Sequence, residues 1–336
     1  MNNISRLLPN TLDLELFNPL RGWLPNTIID FHVHVHQGSG ASIFNESAMR
    51  PGQSFNWFNL ELHKQIAKSF GLEKFDYRAV IFGLPFRDDE RANNLSLRRD
   101  FVNNTSLYPI DCLTDDKSAS DDFFFNLDAR GIKTKIISKS EISRVEIVNN
   151  FSKKVWRELN DRNGFLVIHL PVNIFNNFDE VMFLAKEYRG ITFIIAHMGG
   201  FFLFDKKLPQ ALAKVSRAPN VYFDTAMVTD PKVIGCAVSI LGFERVIFGS
   251  DAPFGYMRGS FSKQGSQIRF YPDNHWVWDE GFFDRGVNIP HGMVVLNSVL
   301  AIKQALDDCN DHDDSGKNFI FFGNAANILN GVKPSF

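Results

Sequence analysis

Short apolar, β-branched runs recur along this 336-residue sequence, and longer stretches with helical spacing lie between them. The eight runs occupy residues 27–35, 77–86, 106–113, 131–138, 165–171, 191–197, 220–226 and 244–251. Several are apolar at nearly every position, which is typical of parallel strands that pack against a core on one face and helices on the other. The pattern therefore predicts an α/β fold, specifically a (β/α)8 TIM barrel with long loops after strands 1 and 8.

One domain over residues 1–336 is expected, because no repeat, low-complexity tract or linker interrupts the sequence. Helices are predicted near residues 56–70, 144–160, 178–188, 207–217, 291–306 and 318–331. Residues 252–290 are rich in Gly, Phe and Trp without a clear period, which predicts a lid-like insertion over the carboxyl ends of the strands. A doubly wound open sheet is the alternative, but no glycine-rich phosphate motif follows the first run.

Charge, hydrophobicity and cysteine content predict which kinds of partner the protein has and where it is located. The 36 basic and 38 acidic residues leave a net charge of −2, so the cationic excess that phosphate contacts require is absent and no nucleic-acid partner is expected. Neither a signal peptide nor an apolar run of roughly 18 residues is found, so no membrane partner is expected. Three widely spaced cysteines favour a reducing compartment, hence a cytoplasmic location. The 34 phenylalanines leave homo-oligomerisation open.

The first run carries three alternating histidines, His32, His34 and His36. Simple strand alternation places them on one face together with Asp30, and in a barrel that face can point inward. Two imidazoles spaced in this way can hold one metal ion, since histidine nitrogen is a common zinc ligand. Polar residues of a strand edge produce the same pattern, so this motif alone does not decide between the two interpretations.

Three further polar residues end apolar runs. His169 lies near the end of the fifth run, and His197 and Asp251 are the last residues of the sixth and eighth runs. Burying an unpaired polar group costs several kcal/mol, so this placement calls for partners. In a barrel these groups would meet the first-strand histidines at one mouth, which predicts a site for one divalent metal ion. Zn²⁺ is favoured, with manganese, iron and cobalt as alternatives. Separately hydrogen-bonded core histidines are the competing interpretation.

Several motifs support a family resemblance. They are Asp30-Phe31-His32-Val33-His34, His169, Ala196-His197-Met198-Gly199-Gly200, Phe248-Gly249-Ser250-Asp251-Ala252-Pro253 and Phe322-Gly323-Asn324-Ala325-Ala326. In this order the set resembles the amidohydrolase superfamily, and within it the branch of metal-dependent hydrolases and decarboxylases related to aminocarboxymuconate semialdehyde decarboxylase. The resemblance implies that His32, His34, His169 and Asp251 bind the metal. It also implies that His197 is catalytic, hydrogen-bonding the metal-bound water and acting as acid or base. Asp251 is the second catalytic candidate, because its carboxylate could take the proton as the water attacks.

Four residues are candidates for substrate contacts: His36, Arg87, Lys135 and Trp276. Arg87 could clamp a carboxylate bidentately or lie in a surface ion pair. Lys135 could contact a carboxylate, extend along the barrel as a snorkelling side chain, or, as in some superfamily members, be carboxylated and bridge a second metal. His36 faces either substrate or water, and Trp276 either covers substrate or packs on the barrel.

These observations favour a metal-dependent hydrolase that uses a metal-activated water on a small ester, lactone or amide. A bound divalent metal can lower the pKa of water from 15.7 to about 7, which supplies the nucleophile at neutral pH. The alternative is a non-oxidative decarboxylase of an aromatic or unsaturated carboxylic acid, which Arg87 and the many aromatic residues would suit. A barrel that has lost catalysis and serves as a scaffold is a third hypothesis. A small-molecule substrate is the expected partner in the first two cases.

Overall fold

The computed structural model describes residues 8–35, 60–84, 90–101, 104–113, 130–136, 147–264, 267–272, 291–309, 311 and 313–332. The strands in this part of the chain are β1 (Thr27–His34), β2 (Asp76–Phe82), β3 (Leu107–Pro109), β4 (Asp111–Cys112), β5 (Gly131–Lys135), β6 (Phe165–His169), β7 (Thr192–Ile195), β8 (Val221–Asp224), β9 (Val246–Ile247), β10 (Gly259–Gln264) and β11 (Gln267–Pro272).

Helices separate most of these strands. The α-helices are Thr11–Arg21, Leu60–Ser69, Glu90–Phe101, Lys153–Asp161, Phe178–Glu187, Lys207–Val215, Pro231–Leu241, Val294–Asp308, Ser315–Asn318 and Asn324–Leu329. The segment His197–Gly200 is a turn with left-handed backbone angles. A π-helical turn spans Phe319–Gly323, and 3₁₀ turns span Leu72–Lys74, Ile147–Asn150, Ile174–Asn176, Phe243–Arg245 and Phe254–Tyr256. Among the described residues, none of the helices combines the length and hydrophobicity that a bilayer span requires.

Parallel pairing dominates the sheets. β1, β2 and β3 form one sheet in that order, and β4 to β9 form a second in sequence order, with every neighbouring pair parallel. Among the strands of the described residues, β10 and β11 pair antiparallel, as a hairpin. Each connection between parallel strands must cross back over the sheet, which explains why helices alternate with strands. The predicted α/β class with parallel strands is confirmed.

The two parallel sheets contact each other at both ends. Ile110, the single residue between β3 and β4, donates its backbone N–H to the carbonyl of Ile81, at 2.9 Å. At the other end, the Phe31 N–H of β1 donates to the carbonyl of Phe248, at 3.0 Å, and the His34 N–H to that of Ala252, at 2.8 Å. The segment after β9 therefore lies beside β1.

Side-chain alternation along the strands produces two apolar layers. The inner cluster consists of residues such as Ile29, Phe82, Val167, Ile194 and Ile247, all almost fully buried. The outer cluster packs the opposite faces of the strands against the helices. Because both faces are buried, the strands are apolar at successive positions, as the sequence pattern indicates.

A β-bulge interrupts the alternation in β1. The pairing with β2 runs from Asp30 opposite Ala79 to Val33 opposite Ile81, so β1 carries one extra residue. Phe31 packs in the inner cluster and His32 contacts inner residues as well, whereas Asp30 faces outward. The prediction that Asp30 shares a face with the histidines was wrong, because a bulge reverses the alternation that the prediction assumed.

The predicted elements are recovered with altered ends. The third run is divided into β3 and β4, and the eighth is reduced to a two-residue strand preceded by a 3₁₀ turn. The helix expected at 144–160 is a 3₁₀ turn followed by the helix Lys153–Asp161. Of the predicted insertion at about 252–290, residues 265–266 and 273–290 lie outside the described residues, and much of the described part is the pair of strands β10 and β11.

Candidate metal centre

The predicted metal and catalytic residues lie at or just beyond the carboxyl ends of four parallel strands. His32 and His34 belong to the end of β1, and His169 is the last residue of β6. His197 follows β7, and Asp251 follows β9. Because parallel strands end on the same edge, these side chains reach one space although they are distant in sequence.

Their polar atoms are close together. The Asp251 Oδ1 atom lies 3.2 Å from His32 Nε2 and 3.3 Å from His34 Nε2. His32, His197 and Asp251 each offer one ligand atom, and these three atoms all lie within 4.8 Å of one another. His169 Nδ1 is 3.2 Å from His197 Nε2. Donors about 2.0–2.2 Å from a tetrahedral zinc ion stand roughly 3.3 Å apart, so this set fits such an ion.

His197, for which the family resemblance implies an acid or base role, lies beside His169, for which it implies metal binding. Its ring lies within the group that could hold a cation, whereas His169 is in contact with that group through His197. Among the described residues, the cation-sized group is His32, His197 and Asp251, with His34 and His169 at its edge. Imidazole nitrogen and carboxylate oxygen are donors that suit Zn²⁺ and other divalent first-row metals.

The other ring nitrogen of three histidines is already engaged. His32 Nδ1 lies 2.8 Å from Asp224 Oδ2, His34 Nδ1 lies 2.8 Å from the Gly83 carbonyl, and His197 Nδ1 lies 2.9 Å from the Ala226 carbonyl. Each of these partners accepts a hydrogen bond, so Nδ1 carries a proton and Nε2 is the nitrogen that faces the cluster. Metal-binding histidines in proteins are commonly oriented in this way.

Asp224, at the end of β8, was missed in the sequence. Its Oδ2 holds His32, and its Oδ1 accepts the backbone N–H of His197 at 2.7 Å and that of Ala226 at 3.2 Å. One buried carboxylate thus fixes two members of the cluster. A signal was present, because Asp224 ends an apolar run just as His169, His197 and Asp251 do.

Two lysines of β5 occupy the inner side of the cluster. Lys133 is fully buried, with its Nζ 3.2 Å from His32 Nε2 and 5.3 Å from the centre of the Phe82 ring. Lys135, the predicted lysine, is half-buried opposite His169 in the sheet. Lys133 was not predicted from the sequence, although residues 133 and 135 are two apart on one strand and therefore share a face.

Burial and neighbouring charges shift the pKa values in the cluster. Burial lowers the pKa of His34 to about 4 and also lowers those of His169 and His197. Burial and Lys133 also act to lower the pKa of His32, but the Asp224 and Asp251 carboxylates outweigh them and raise it. Burial favours neutral Asp251, yet His32 and His197 hold its pKa well below the usual range. The carboxylate is therefore ionised, as a metal ligand must be.

Burial and the nearby carboxylates also act in opposite directions on the pKa of Lys133. Burial lowers its pKa to about 8, although the Asp224 and Asp251 carboxylates favour the charged amine. Burial also lowers the pKa of Lys135.

Two residues of the cluster have left-handed backbone conformations. His197 and Asp251 both have φ of 56°. For residues other than glycine this conformation is uncommon and costs about 1–3 kcal/mol, so the surrounding structure must enforce it. Gly199 and Gly200, at φ of 68° and 82°, continue the same turn after His197.

Aromatic rings surround the imidazoles. Phe82 lies 4.7 Å from the His34 ring centre, and Phe254 lies 5.5 Å from it. Phe202 lies 5.4 Å from the His197 ring and stacks on Phe261 of the β10–β11 hairpin at 4.6 Å. The described part of the predicted insertion therefore reaches the edge of the cluster. The predicted substrate contacts His36, Arg87 and Trp276 lie outside the described residues.

Comparisons with known proteins find similarity to amidohydrolases. The model of the amidohydrolase family Amidohydro_2 matches residues 153–263, which include His169, His197, Asp224 and Asp251. Over these residues, the resemblance to the amidohydrolase superfamily is confirmed. No curated protein sequence matches the chain.

Solved amidohydrolase structures share the fold. An amidohydrolase from Burkholderia multivorans with bound zinc is 12% identical, with a TM-score of 0.52, over 92% of this chain and 100% of that chain. Amidohydrolase 2 from Bifidobacterium longum subsp. infantis is 14% identical, with a TM-score of 0.54, over 90% and 98%. The 5-carboxyvanillate decarboxylase of Sphingomonas paucimobilis is 12% identical, with a TM-score of 0.54, over 91% and 99%. At such identities the similarity shows the fold alone.

Proposed function

We propose that this protein is a metal-dependent hydrolase that cleaves a small ester, lactone or amide. The observation that carries the proposal is the convergence of imidazole Nε2 atoms and the Asp251 carboxylate at the ends of separate strands. The hydrogen bonds that hold Nδ1 of His32, His34 and His197 support it, because they orient the Nε2 atoms toward the cluster before any ion binds.

The proposed scaffold is one closed (β/α)8 barrel that forms a single domain. The hydrogen bonds from Phe31 to Phe248 and from His34 to Ala252 support closure between the last strand and the first. The similarity to amidohydrolase structures over about nine-tenths of the chain supports the single domain. The long loops after the first and eighth strands are part of this proposal.

The proposed cofactor is one divalent metal ion, with Zn²⁺ favoured. His32, His34, Asp251 and His169 or His197 would hold it, and the ion would supply Lewis acidity that lowers the pKa of water. The Asp251 carboxylate, kept ionised by its neighbours, would accept a proton from the attacking water. Nε2 of His197, which carries no proton, would orient that water, or would take the proton from Asp251 and pass it to the leaving group.

A second candidate reaction is the decarboxylation of an aromatic or unsaturated acid. Lys133 and Lys135 provide two amines on the inner face of β5, and Phe82 and Phe254 flank His34. An ammonium group beside aromatic walls suits a planar carboxylate. A decarboxylase is also among the proteins that share the fold. Hydrolysis ranks first because the ionised Asp251 provides a base.

A small molecule is the proposed partner in either case. The net charge of −2 supports the proposal that neither nucleic acid nor an anionic membrane surface is bound. The enclosed position of the cluster, with His32, His197 and Asp251 all buried, favours a small substrate as well.

A substrate panel tests the proposal. Zinc-loaded protein is assayed against lactones, esters and amides, and against hydroxybenzoate-like acids with detection of carbon dioxide. Turnover of the first group, lost in His197→Gln and retained in His291→Gln, is the expected result. His291 is a suitable control because it lies outside the cluster. Carbon dioxide release without hydrolysis would replace the first candidate by the second, and inactivity on both would support a non-catalytic scaffold.

A further inference from the structure

We propose that Asp30, Tyr77, His63 and Tyr256 are positioning residues, linked in one hydrogen-bonded chain that holds His32 and the Asp251 segment in place. The chain lies on the outer side of β1, whereas the metal cluster lies on the inner side. The inference rests on the proposed metal centre, because the residues it positions are the proposed ligands.

The hydrogen-bonded chain ends at Asp30, in the bulge of β1. Asp30 Oδ1 accepts the backbone N–H of His32 at 3.1 Å and that of Ser250 at 2.9 Å. One carboxylate oxygen thus joins β1 to the loop after β9. The two residues it holds are a proposed ligand, His32, and the neighbour of another, Asp251. The bond within the bulge also explains why His32 faces inward although Asp30 faces outward.

Tyr77 of β2 extends the chain. Its hydroxyl donates to Asp30 Oδ2 at 2.9 Å. The Tyr77 hydroxyl oxygen also lies 3.2 Å from His63 Nε2. Because the hydroxyl proton is used toward Asp30, the Tyr77 oxygen accepts and His63 Nε2 carries a proton. His63 Nδ1 then accepts from the Tyr256 hydroxyl, which is 3.0 Å away. Every hydrogen bond in the chain therefore has a defined direction.

The surroundings make these bonds costly to lose. Asp30 and His63 are each 1% exposed and Tyr256 is 6% exposed. Asp30, Tyr77 and Tyr256 line a cavity of about 60 Å³ whose other walls are mostly apolar, including Phe70 and Phe248. A buried polar group that loses its hydrogen-bond partner is destabilised by its full desolvation free energy. Removing one group from the chain therefore weakens the position of the group next to it.

The chain connects the elements that frame the metal centre. His63 lies in the helix Leu60–Ser69, between β1 and β2, and Tyr256 lies in the turn Phe254–Tyr256, five residues after Asp251. Simple core filling would require only apolar contacts here. The directed chain instead terminates on the two backbone N–H groups next to proposed ligands, which indicates a positioning role.

Cobalt binding to the full-length protein tests this role, because the visible spectrum of Co²⁺ reports ligand geometry. Tyr77→Phe removes one hydroxyl and keeps the ring. We expect its Co²⁺ dissociation constant to rise about tenfold or more, with an altered spectrum. Tyr188→Phe is the matched control: Tyr188 is also half-buried, but it stacks on Trp156 away from the chain. Its affinity and spectrum should equal those of the wild type.

Hydrogen exchange of the metal-free proteins gives a second measurement that does not depend on metal. The amides of His32 and Ser250 should exchange faster in Tyr77→Phe than in wild type or Tyr188→Phe. If Tyr77→Phe does not fold, Tyr256→Phe replaces it, with a smaller change in the same direction because it lies two links further from Asp30.

Two results would contradict the account in distinguishable ways. Unchanged cobalt affinity, spectrum and exchange in a folded Tyr77→Phe or Tyr256→Phe protein would overturn the positioning role. Wild-type protein that binds no Co²⁺ would overturn the proposed metal function, while the exchange measurement would still decide whether the chain holds His32 and Ser250.

Discussion

At the scale of single residues, the partner of Nδ1 determines what each histidine presents to the cluster. The oxygens that hold Nδ1 of His32, His34 and His197 come from Asp224, Gly83 and Ala226. Two of these are backbone carbonyls, which no residue pattern in the sequence identifies. The sequence therefore predicted which histidines come together, whereas the orientation of their rings depends on contacts that only the folded chain provides.

Asp224→Asn is the first test at this scale. The amide keeps the size of the side chain but removes the charge that holds His32, and its NH₂ group cannot accept from Nδ1. We expect zinc affinity to fall about tenfold to a hundredfold. Competition with a chromophoric chelator measures it, with the exposed Asp161→Asn as the control. Equal zinc affinity in both variants would show that Asp224 does not orient the ligands.

A pH prediction follows from His63. Burial lowers its pKa in the folded state to about 4, whereas the unfolded chain has the ordinary value near 6.5. Between these values the unfolded state binds a proton that the folded state does not, so stability falls as the pH decreases from about 6.5 to 4. The loss is about 3 kcal/mol from this residue. Urea unfolding across this range should show a shallower pH dependence in His63→Gln than in wild type, and identical slopes would contradict the assignment.

At the scale of elements, local backbone geometry decides which way the functional side chains face. The periodicity of the first run located β1, but the bulge between Asp30 and Val33 reversed the face of Asp30. A single extra residue leaves the apolar pattern almost unchanged, so periodicity could not reveal it. Similarly, both lysines of β5 could be placed on one face, but their depth depends on how far each strand extends toward the cluster.

The turn His197–Gly200 provides the element-scale test. Gly199 has φ of 68°, and a Cβ there would lie 2.6 Å from Ile174 Cγ2. Gly199→Ala should therefore lower the free energy of unfolding by about 2–4 kcal/mol and displace His197. Gly235→Ala is the matched control, because Gly235 lies inside the helix Pro231–Leu241 and its nearest neighbour would be 4.0 Å away.

For Gly235→Ala we expect a gain of up to about 1 kcal/mol from helix propensity. Urea midpoints at unchanged m-values measure both glycine variants. A Gly199→Ala protein as stable as wild type, with unaltered zinc affinity, would show that the turn tolerates a side chain and does not fix His197.

At the scale of the whole molecule, the order of the strands carries the site. Parallel strands alternating with helices could be predicted from the sequence, because strands that are buried on both faces are continuous runs of apolar residues. The meeting of His32 with Asp251, 219 positions away in the sequence, could be predicted only by assuming that strands end on a common edge. No comparable sequence pattern predicts the hydrogen bonds among Asp30, Tyr77, His63 and Tyr256 on the outer side of β1.

Metal linkage is the corresponding global prediction. An ion that binds only the folded chain stabilises it, by about 2.7 kcal/mol at a free concentration one hundred times the dissociation constant. Zinc should therefore raise the unfolding midpoint of the wild type, and chelation should reverse the increase. The His32→Ala/His34→Ala double variant should show neither effect. An equal response of the double variant would place the zinc elsewhere on the protein.

Elemental analysis of the purified full-length protein tests the metal centre most directly. We expect about one equivalent of divalent metal, retained in His291→Gln and lost in the His32→Ala/His34→Ala double variant. Two equivalents would restore the alternative of a second ion bridged by Lys135. A correctly folded wild-type protein that holds no metal, even after incubation with zinc, would contradict the central claim.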